Sequence, residues 1–230
     1  MNYWQPPRMW DGGTCWIIGG GASMPRQFGI PEEVINGVEQ GKKPLTVYST
    51  YLKELHDKNV IGTNVAFLFG HWISVLCFSD ASFYQNYVTK ILQFKNLKIT
   101  CLNSIERNLK PTTTNLKRMK QDNRPGLSSV PDTVCWNYNS GGMAIDLAAK
   151  FGVKRILLLG FDMKPINNRT HWHTGMPNYL KPTSNISFQR FLRTFEVISQ
   201  DAKQRGIEIL NVNEDSAINE FKKVRLQDVL

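Results

Sequence analysis

Two of the chain's four histidines stand two residues apart in Thr170-His171-Trp172-His173, a short loop after an apolar run that ends in Gly160-Phe161-Asp162. Three roles suit such a pattern. In an extended segment both rings face one side, and in a loop both can meet one metal ion. A metal site needs at least a third ligand, however, and with no histidine or cysteine close by, Asp162 or Asp80 would have to supply it. For acid/base work a single imidazole suffices when a carboxylate such as Asp162 tunes it. The third role is a polar structural loop. We expect His171, His173 and Asp162 to be the catalytic candidates and assign no residue as a metal ligand.

Four further groups have types suited to binding. Gly19-Gly20-Gly21-Ala22-Ser23 follows a short apolar run. Glycines there let a backbone approach a ligand closely and turn N–H groups toward phosphate oxygens, with Ser23 as an added donor, or they simply make a tight turn. The spacing is neither the dinucleotide nor the phosphate-loop glycine signature. Asn139-Ser140-Gly141-Gly142 opens a helical pattern, where free N–H groups and the helix dipole favour an anion; Ser140 as a plain N-cap is the alternative. Thr63-Asn64 and Asp80 each follow an apolar stretch. Asp80 and Asp162 could hold a ribose hydroxyl, orient a histidine or bind a phosphate-bridging cation, or could cap the next helix.

These residues need elements to position them. Thr14–Ile18, Val60–Asn64, Ser74–Asp80, Leu97–Leu102, Arg155–Gly160 and Ile207–Val212 read as strands, with Arg155–Gly160 apolar on both faces as an interior parallel strand must be. Helices are expected over 31–39, with Pro31 in the first turn, over 66–69, over 83–94, from Asn139 through Lys150 with Gly152 as terminator, over Ile186–Arg205 with Gly206 beyond, and over 214–223. Residues 50–58 suit a short helix or a loop. Strands alternating with helices predict an α/β fold: a Rossmann-like, mostly parallel sheet with helices on both faces and no internal repeat. Ligands of such sheets bind beyond the carboxyl ends of the strands, and five of those ends carry the residues above.

At 230 residues the chain suits one domain, here 14–230, with 1–13 as an arm that lays its aromatic side chains on the body. No apolar run of about 18 residues and no charged-then-apolar leader is present, so a soluble intracellular protein without membrane contact is expected. Cys15, Cys77, Cys101 and Cys135 are widely spaced and read as reduced core residues. The formal charge of +9 favours polyanionic partners. A basic, Asn-, Thr- and Pro-rich excursion over 104–132 carries Lys110, Lys117, Arg118, Lys120 and Arg124. That segment is expected to be a partly ordered lid that touches a polyanion, or a solvated insertion.

With the GGGAS loop, Thr63-Asn64 before an apolar strand closed by Asp80, and the block Asn139-Ser140-Gly141-Gly142, Ala144-Ile145-Asp146-Leu147-Ala148, Gly152, Arg155-Ile156, Gly160-Phe161-Asp162, the chain resembles two groups. One is a family of bacteriophage proteins sometimes labelled norphogenetic, similar over most of the chain including Thr170–His173. The other, more distant, comprises bacterial lipooligosaccharide sialyltransferases and pterin pyrophosphokinase-like proteins. The sialyltransferase resemblance implies a nucleotide sugar bound without a required metal by Gly19, Gly21, Ser23, Asn64, Ser140 and Gly141, with His171 or His173 as general base. Where those enzymes have Asn-Gly-Pro-Ser in the first loop, this chain has Gly-Gly-Ala-Ser. The pyrophosphokinase resemblance implies diphosphate transfer with magnesium. The phage resemblance implies the cytoplasm of an infected bacterial host.

Together these readings lead to a nucleotide-sugar-dependent glycosyltransferase, with nucleotide contacts at Gly19, Gly20, Gly21, Ser23, Thr63, Asn64, Asp80, Asn139, Ser140 and Gly141. Hydroxymethylated DNA is a candidate acceptor, gripped by Lys110 to Arg124. No cofactor is required, although magnesium or manganese is compatible. Two alternatives stand beside it: a magnesium-dependent phosphoryl or diphosphoryl transferase, and a non-catalytic nucleotide- or nucleic-acid-binding module.

Overall fold

The computed structural model describes residues 3–103, 115–173 and 182–230. Ten strands are present among them: β1 (Thr14–Ile18), β2 (Val60–Thr63), β3 (Val75–Phe78), β4 (Leu97–Thr100), β5 (Leu116–Arg118), β6 (Lys120–Asp122), β7 (Thr133–Cys135), β8 (Arg155–Leu159), β9 (Glu208–Asn211) and β10 (Lys222–Lys223). Eight form one sheet in the order β10-β9-β8-β1-β2-β3-β4-β5, and β6 pairs with β7 in a second, two-stranded sheet. All pairings are parallel.

Helices α1 (Met24–Gln27), α2 (Glu32–Glu39), α3 (Ala81–Gln93), α4 (Ser140–Lys150) and α5 (Asn185–Gln204) connect the strands, with 3₁₀ turns at Leu45–Tyr51, Lys53–Leu55, Asn64–Phe69 and Leu226–Asp228. Strand alternation divides the core in two. Trp16 and Ile18 of β1 and Leu157 and Leu159 of β8 face a layer built on α2 and α3. Cys15, Ile17, Ile156 and Leu158 face the opposite layer, which α4 and α5 cover. An apolar run such as Arg155–Leu159 therefore finds an apolar partner on each side, the condition for a parallel strand with no solvated face. The four cysteines are buried and unpaired, and none of the described helices is long and apolar enough to cross a membrane.

Register places the binding rim. Ile18 pairs with Leu159 on one side and with Gly62 on the other, and Thr63 pairs with Cys77. The carboxyl ends of β8, β1, β2 and β3 are thus level. Strand order runs outward from β1 through β2 to β5 and outward from β8 through β9 to β10, so the β1–β8 boundary is the topological switch point where open α/β sheets receive ligands.

Three expectations are corrected. Residues 214–223 are not helical. Asp215 N–H donates to Asn213 Oδ1 and Ser216 Oγ to the Phe161 carbonyl, so polar side chains capture this backbone locally. Lys222–Lys223 then add a strand beside β9. Within the basic excursion, residues 104–114, including Lys110, lie outside the described residues. The remainder is built into the fold: β5 extends the main sheet, Met119 is fully buried, and Leu127 is 5% exposed. Its anchors are side chains of the body. Asp201 accepts from Leu127 N–H at 2.7 Å, Asp146 from Ser128 N–H at 3.1 Å and from Cys135 N–H at 2.7 Å, and Lys150 Nζ donates to the Ser128 and Val130 carbonyls. Pro31, finally, is the extended residue before α2 and not part of its first turn, with Glu32 and Glu33 leading the helix. The amino-terminal segment meets the body through Trp10, whose ring sits 4.7 Å edge-on to Phe151, and through Trp4 N–H, which donates to the Arg118 carbonyl.

Candidate functional site

The glycine loop is shaped by what lies against it. A Cβ on Gly21 would stand 2.5 Å from the Gly160 carbonyl oxygen and 2.6 Å from Asp162 Cγ, and one on Gly19 would stand 2.8 Å from the same carbonyl. Gly19 and Gly21 N–H donate to the carbonyls of Leu159 and Gly160, so these two amides tie the loop to the end of β8 and do not face a phosphate. Gly20 instead lies beneath the histidines: its Cβ would stand 3.1 Å from His171 Nδ1 and 3.7 Å from His173 Nε2. The three glycines therefore allow three chain segments to approach one another.

Ser23 and Asp162 form a buried cluster. Asp162, 1% exposed, accepts from Ser23 N–H at 2.9 Å, from Ser23 Oγ at 2.5 Å and from Asn213 Nδ2 at 2.7 Å. Burial pushes its carboxyl above the usual range, and the hydrogen bonds from Ser23 and Asn213 act against that. Ser23 has both its donors occupied by Asp162, and Asp162 fixes the glycine loop to the segment beyond β8. In this arrangement the two side chains, offered by the sequence as a phosphate donor and an acid/base partner, bond one another.

The histidine loop presents two neutral rings. His171 and His173 stack face to face at 4.9 Å with 6° between planes, and His171 Nε2 lies 2.9 Å from Thr183 Oγ1. Among the described residues, no group of three or more His, Cys, Asp or Glu side chains is placed to hold a metal. Burial lowers His171 to about 4, against a hydrogen bond with the Gly20 backbone. Burial, then the charge His171 would carry, takes His173 well below its usual value. Both imidazoles are therefore unprotonated at neutral pH. Trp172 points the other way: its indole N–H donates to the Gly19 carbonyl at 2.9 Å, its amide donates to the Gly20 carbonyl at 3.0 Å, and its ring packs 4.8 Å from Phe69. This tryptophan turns both histidines toward the cavity, and only its alternation between two polar neighbours hinted at it in the sequence.

A hydrogen-bonded chain crosses the rim from α4 to β2. Ser140 Oγ donates to Asn64 Oδ1 at 3.2 Å, it accepts from Ser79 N–H at 3.2 Å, and the Ser79 and Ser140 hydroxyls lie 3.0 Å apart. Trp136 Nε1 donates to Ser79 Oγ at 3.1 Å. Because the Ser140 proton goes to Asn64, Ser79 must be the donor of the hydroxyl pair. Asn64 Oδ1 is thereby occupied, which leaves its amide N–H groups to meet a ligand acceptor. Asn64 sits at φ 49°, a left-handed conformation that asparagine tolerates. Thr63 Oγ1 donates to the Ile18 carbonyl, so its hydroxyl bridges β1 and β2. The N-cap of α4 is Asn139, whose Oδ1 accepts from Gly142 N–H at 2.7 Å, and not Ser140. Gly141 is forced by packing, since a Cβ would meet Phe161 at 2.8 Å. Asp80 caps α3 through Phe83 N–H at 2.8 Å.

A cavity of about 260 Å³ lies at this rim. Of the expected residues, Gly19, Gly20, Gly21, Thr63, Asn64, Asp80, Asn139, Ser140, Gly141, Asp162, His171 and His173 line it, whereas Ser23 is behind the wall. Unforeseen is its aromatic side: Phe83, Tyr87, Trp136, Tyr138, Phe188 and Phe191. Lys117, Arg118, Lys120 and Arg124 do not line it. The Arg118 guanidinium lies over the Tyr3 ring, and Arg124 pairs with Asp122 at 2.7 Å.

No family model matches the chain, and no curated protein matches it. The resemblance to the phage and pyrophosphokinase-like proteins thus rests on the motif residues alone. Among solved structures, the chain is similar to the sialyltransferase CstII from Campylobacter jejuni, solved in complex with a substrate analogue, cytidine-5'-monophosphate. Identity is 12% and the TM-score 0.48, over 92% of this chain and 84% of that one.

Proposed function

We propose that the protein is a glycosyltransferase that uses a nucleotide-activated sugar. One observation carries this reading: a single cavity brings the amino-terminal end of α4, the side chains of Asn64 and Ser140, and two unprotonated histidines together at the switch point of a parallel sheet. The helix start and hydroxyl groups suit a phosphate, because backbone N–H groups and the helix dipole favour negative charge there. A neutral imidazole suits deprotonation of an acceptor hydroxyl, a contribution of roughly 10²–10⁴-fold in rate. The lowered histidine values fit a base armed by its substrate: an anionic donor beside His171 would favour the protonated ring and raise its proton affinity as the acceptor's proton arrives. A diphosphoryl transfer that needs Asp80 and Asp162 as cation ligands fits less well, because these carboxylates already accept hydrogen bonds from the protein.

The motif resemblance directs the first assay to a cytidine nucleotide sugar. The purified protein should release the nucleotide faster than the uncatalysed background. His171→Ala and His173→Ala should each cut that rate by roughly 10²-fold or more, and a strong chelator should leave it unchanged. Failure of every nucleotide and nucleotide sugar in a thermal-shift panel to raise the midpoint would overturn the reading. The net charge of +9 makes hydroxymethylated DNA of a phage the first acceptor to try, with glucosylated or sialylated base as the product sought.

A further inference from the structure

An anionic donor in this cavity would meet an unusual wall. Among the described residues that line it there is no lysine and no arginine, while Asp80 and Asp162 both do. Helix-end amides alone would have to balance the ligand's charge. Two of the described cations lie over lining rings: Lys90 Nζ stands 5.9 Å from the centroid of Tyr87, and Arg190 lies against two such rings. Arg190, in the second turn of α5, holds its guanidinium 5.5 Å from the centroid of the Tyr138 ring and 5.6 Å from that of Phe191, and both rings line the cavity. Its side chain is exposed, and none of the described carboxylates lies within ion-pair distance of it. At these cation–π distances and without a carboxylate partner among the described residues, the guanidinium keeps N–H groups available, and its fork matches the oxygens of a phosphate or carboxylate.

The Tyr138 platform is itself enforced. Asn137 at φ 53° and Tyr138 at φ 57° are consecutive non-glycine residues in the left-handed region. Asn137, 1% exposed, holds the turn: its Nδ2 donates to the Gly126, Cys135 and Gly142 carbonyls, and its Oδ1 accepts from Gly126 N–H at 2.8 Å. A buried network that maintains an unfavourable backbone at a cavity wall is the pattern of a site residue held for use.

We propose that Arg190 is the cationic contact of this site, resting on Tyr138 and Phe191 and taking an anionic group of the donor, a phosphate or a sugar carboxylate. The inference rests on the nucleotide-sugar reading above. Titration calorimetry on the whole protein tests it, with CMP against cytidine and UDP-glucuronate against UDP-glucose, in the parent, Arg190→Gln and Arg190→Lys. Removing the charge should weaken CMP at least tenfold, leave cytidine within twofold and flatten the salt dependence of CMP binding. Lysine, which keeps the charge without the planar fork, should fall between. Loss with CMP assigns the phosphate, and loss confined to UDP-glucuronate assigns the sugar carboxylate. CMP and UDP-glucuronate bound equally by parent and Arg190→Gln would overturn the role of Arg190 while the nucleotide reading stands. Equal losses for cytidine and CMP would overturn it too, by assigning Arg190 to the structure of the wall. A parent protein that binds none of the four would overturn both.

Discussion

Asp162→Ala separates a positioning carboxylate from a catalytic one. The substitution deletes the acceptor for three donors, Ser23 N–H, Ser23 Oγ and Asn213 Nδ2, at a residue 1% exposed. A buried donor left without a partner costs about 1–3 kcal/mol, and the costs are not additive. Relief of the carboxylate's own burial, visible as its raised proton affinity, offsets part of this. The net expectation is about 1–3 kcal/mol, because the deletion leaves neutral donors and no buried charge behind. Urea unfolding followed by the fluorescence of the six tryptophans measures it. With a slope of about 3 kcal/mol/M, the midpoint should fall by about 0.3–1 M. Asp162→Asn keeps the shape and one acceptor but turns an N–H₂ group toward other donors, and should fall between. A change below about 1 kcal/mol for the alanine variant, accompanied by loss of turnover, would refute the positioning role and restore Asp162 as a chemical participant.

Gly21→Ala places a methyl group 2.5 Å from the Gly160 carbonyl, which the Gly21 amide already binds, so neither side can yield; about 2–3 kcal/mol of destabilisation in the same urea assay is expected, and a neutral effect would mean the loop adapts. The His171 ring should titrate near pH 4 in the free protein by NMR and at least one unit higher with CMP bound; an unmoved midpoint would remove the substrate-armed base. Stability should carry two opposed pH dependences. Asp146 has its folded carboxyl raised to about 6 by burial, so its contribution is complete below about pH 4 and lost as pH rises through 6, about 3 kcal/mol in all. His171 is lowered to about 4, so its contribution is present above about 6.5 and lost as pH falls through 4. Between pH 4 and 6 the two oppose each other, so relative to the parent Asp146→Asn should shift the pH slope of stability upward and His171→Asn should shift it downward, with His173 and Asp162 retained in both; slopes unchanged from the parent in both variants would contradict both signs.

The parallel α/β architecture was legible because it depends on periods and punctuation. A run such as Cys15-Trp16-Ile17-Ile18 is apolar on both faces, and the residues after β1, β2, β3 and β8 are polar or glycine because strands end where ligands and turns begin. The rim residues Asn64, Ser140, Gly141, His171 and His173 could be chosen for the same reason, and the cavity brings them together. Local patterns were misleading where side chains compete with the backbone. Asn213 and Ser216 divert residues expected to form a helix, and distant partners such as Asp146 and Asp201 order a segment whose composition suggested a loose lid.

What the sequence by itself determined is which residues stand at strand ends, since that follows from spacing along one chain. Only the tertiary structure decided what each does there. Asp162 accepts hydrogen bonds from Ser23 and Asn213, from segments 139 and 51 residues away, and also lines the cavity wall. Both histidines turn inward because Trp172 between them is pinned to Gly19 and Gly20, and an aromatic wall from α3, the loop before α4, and α5 closes the site. Hydrogen-bond partners and packing neighbours are chosen among all surfaces that folding brings within about 4 Å, and sequence separation does not encode that choice.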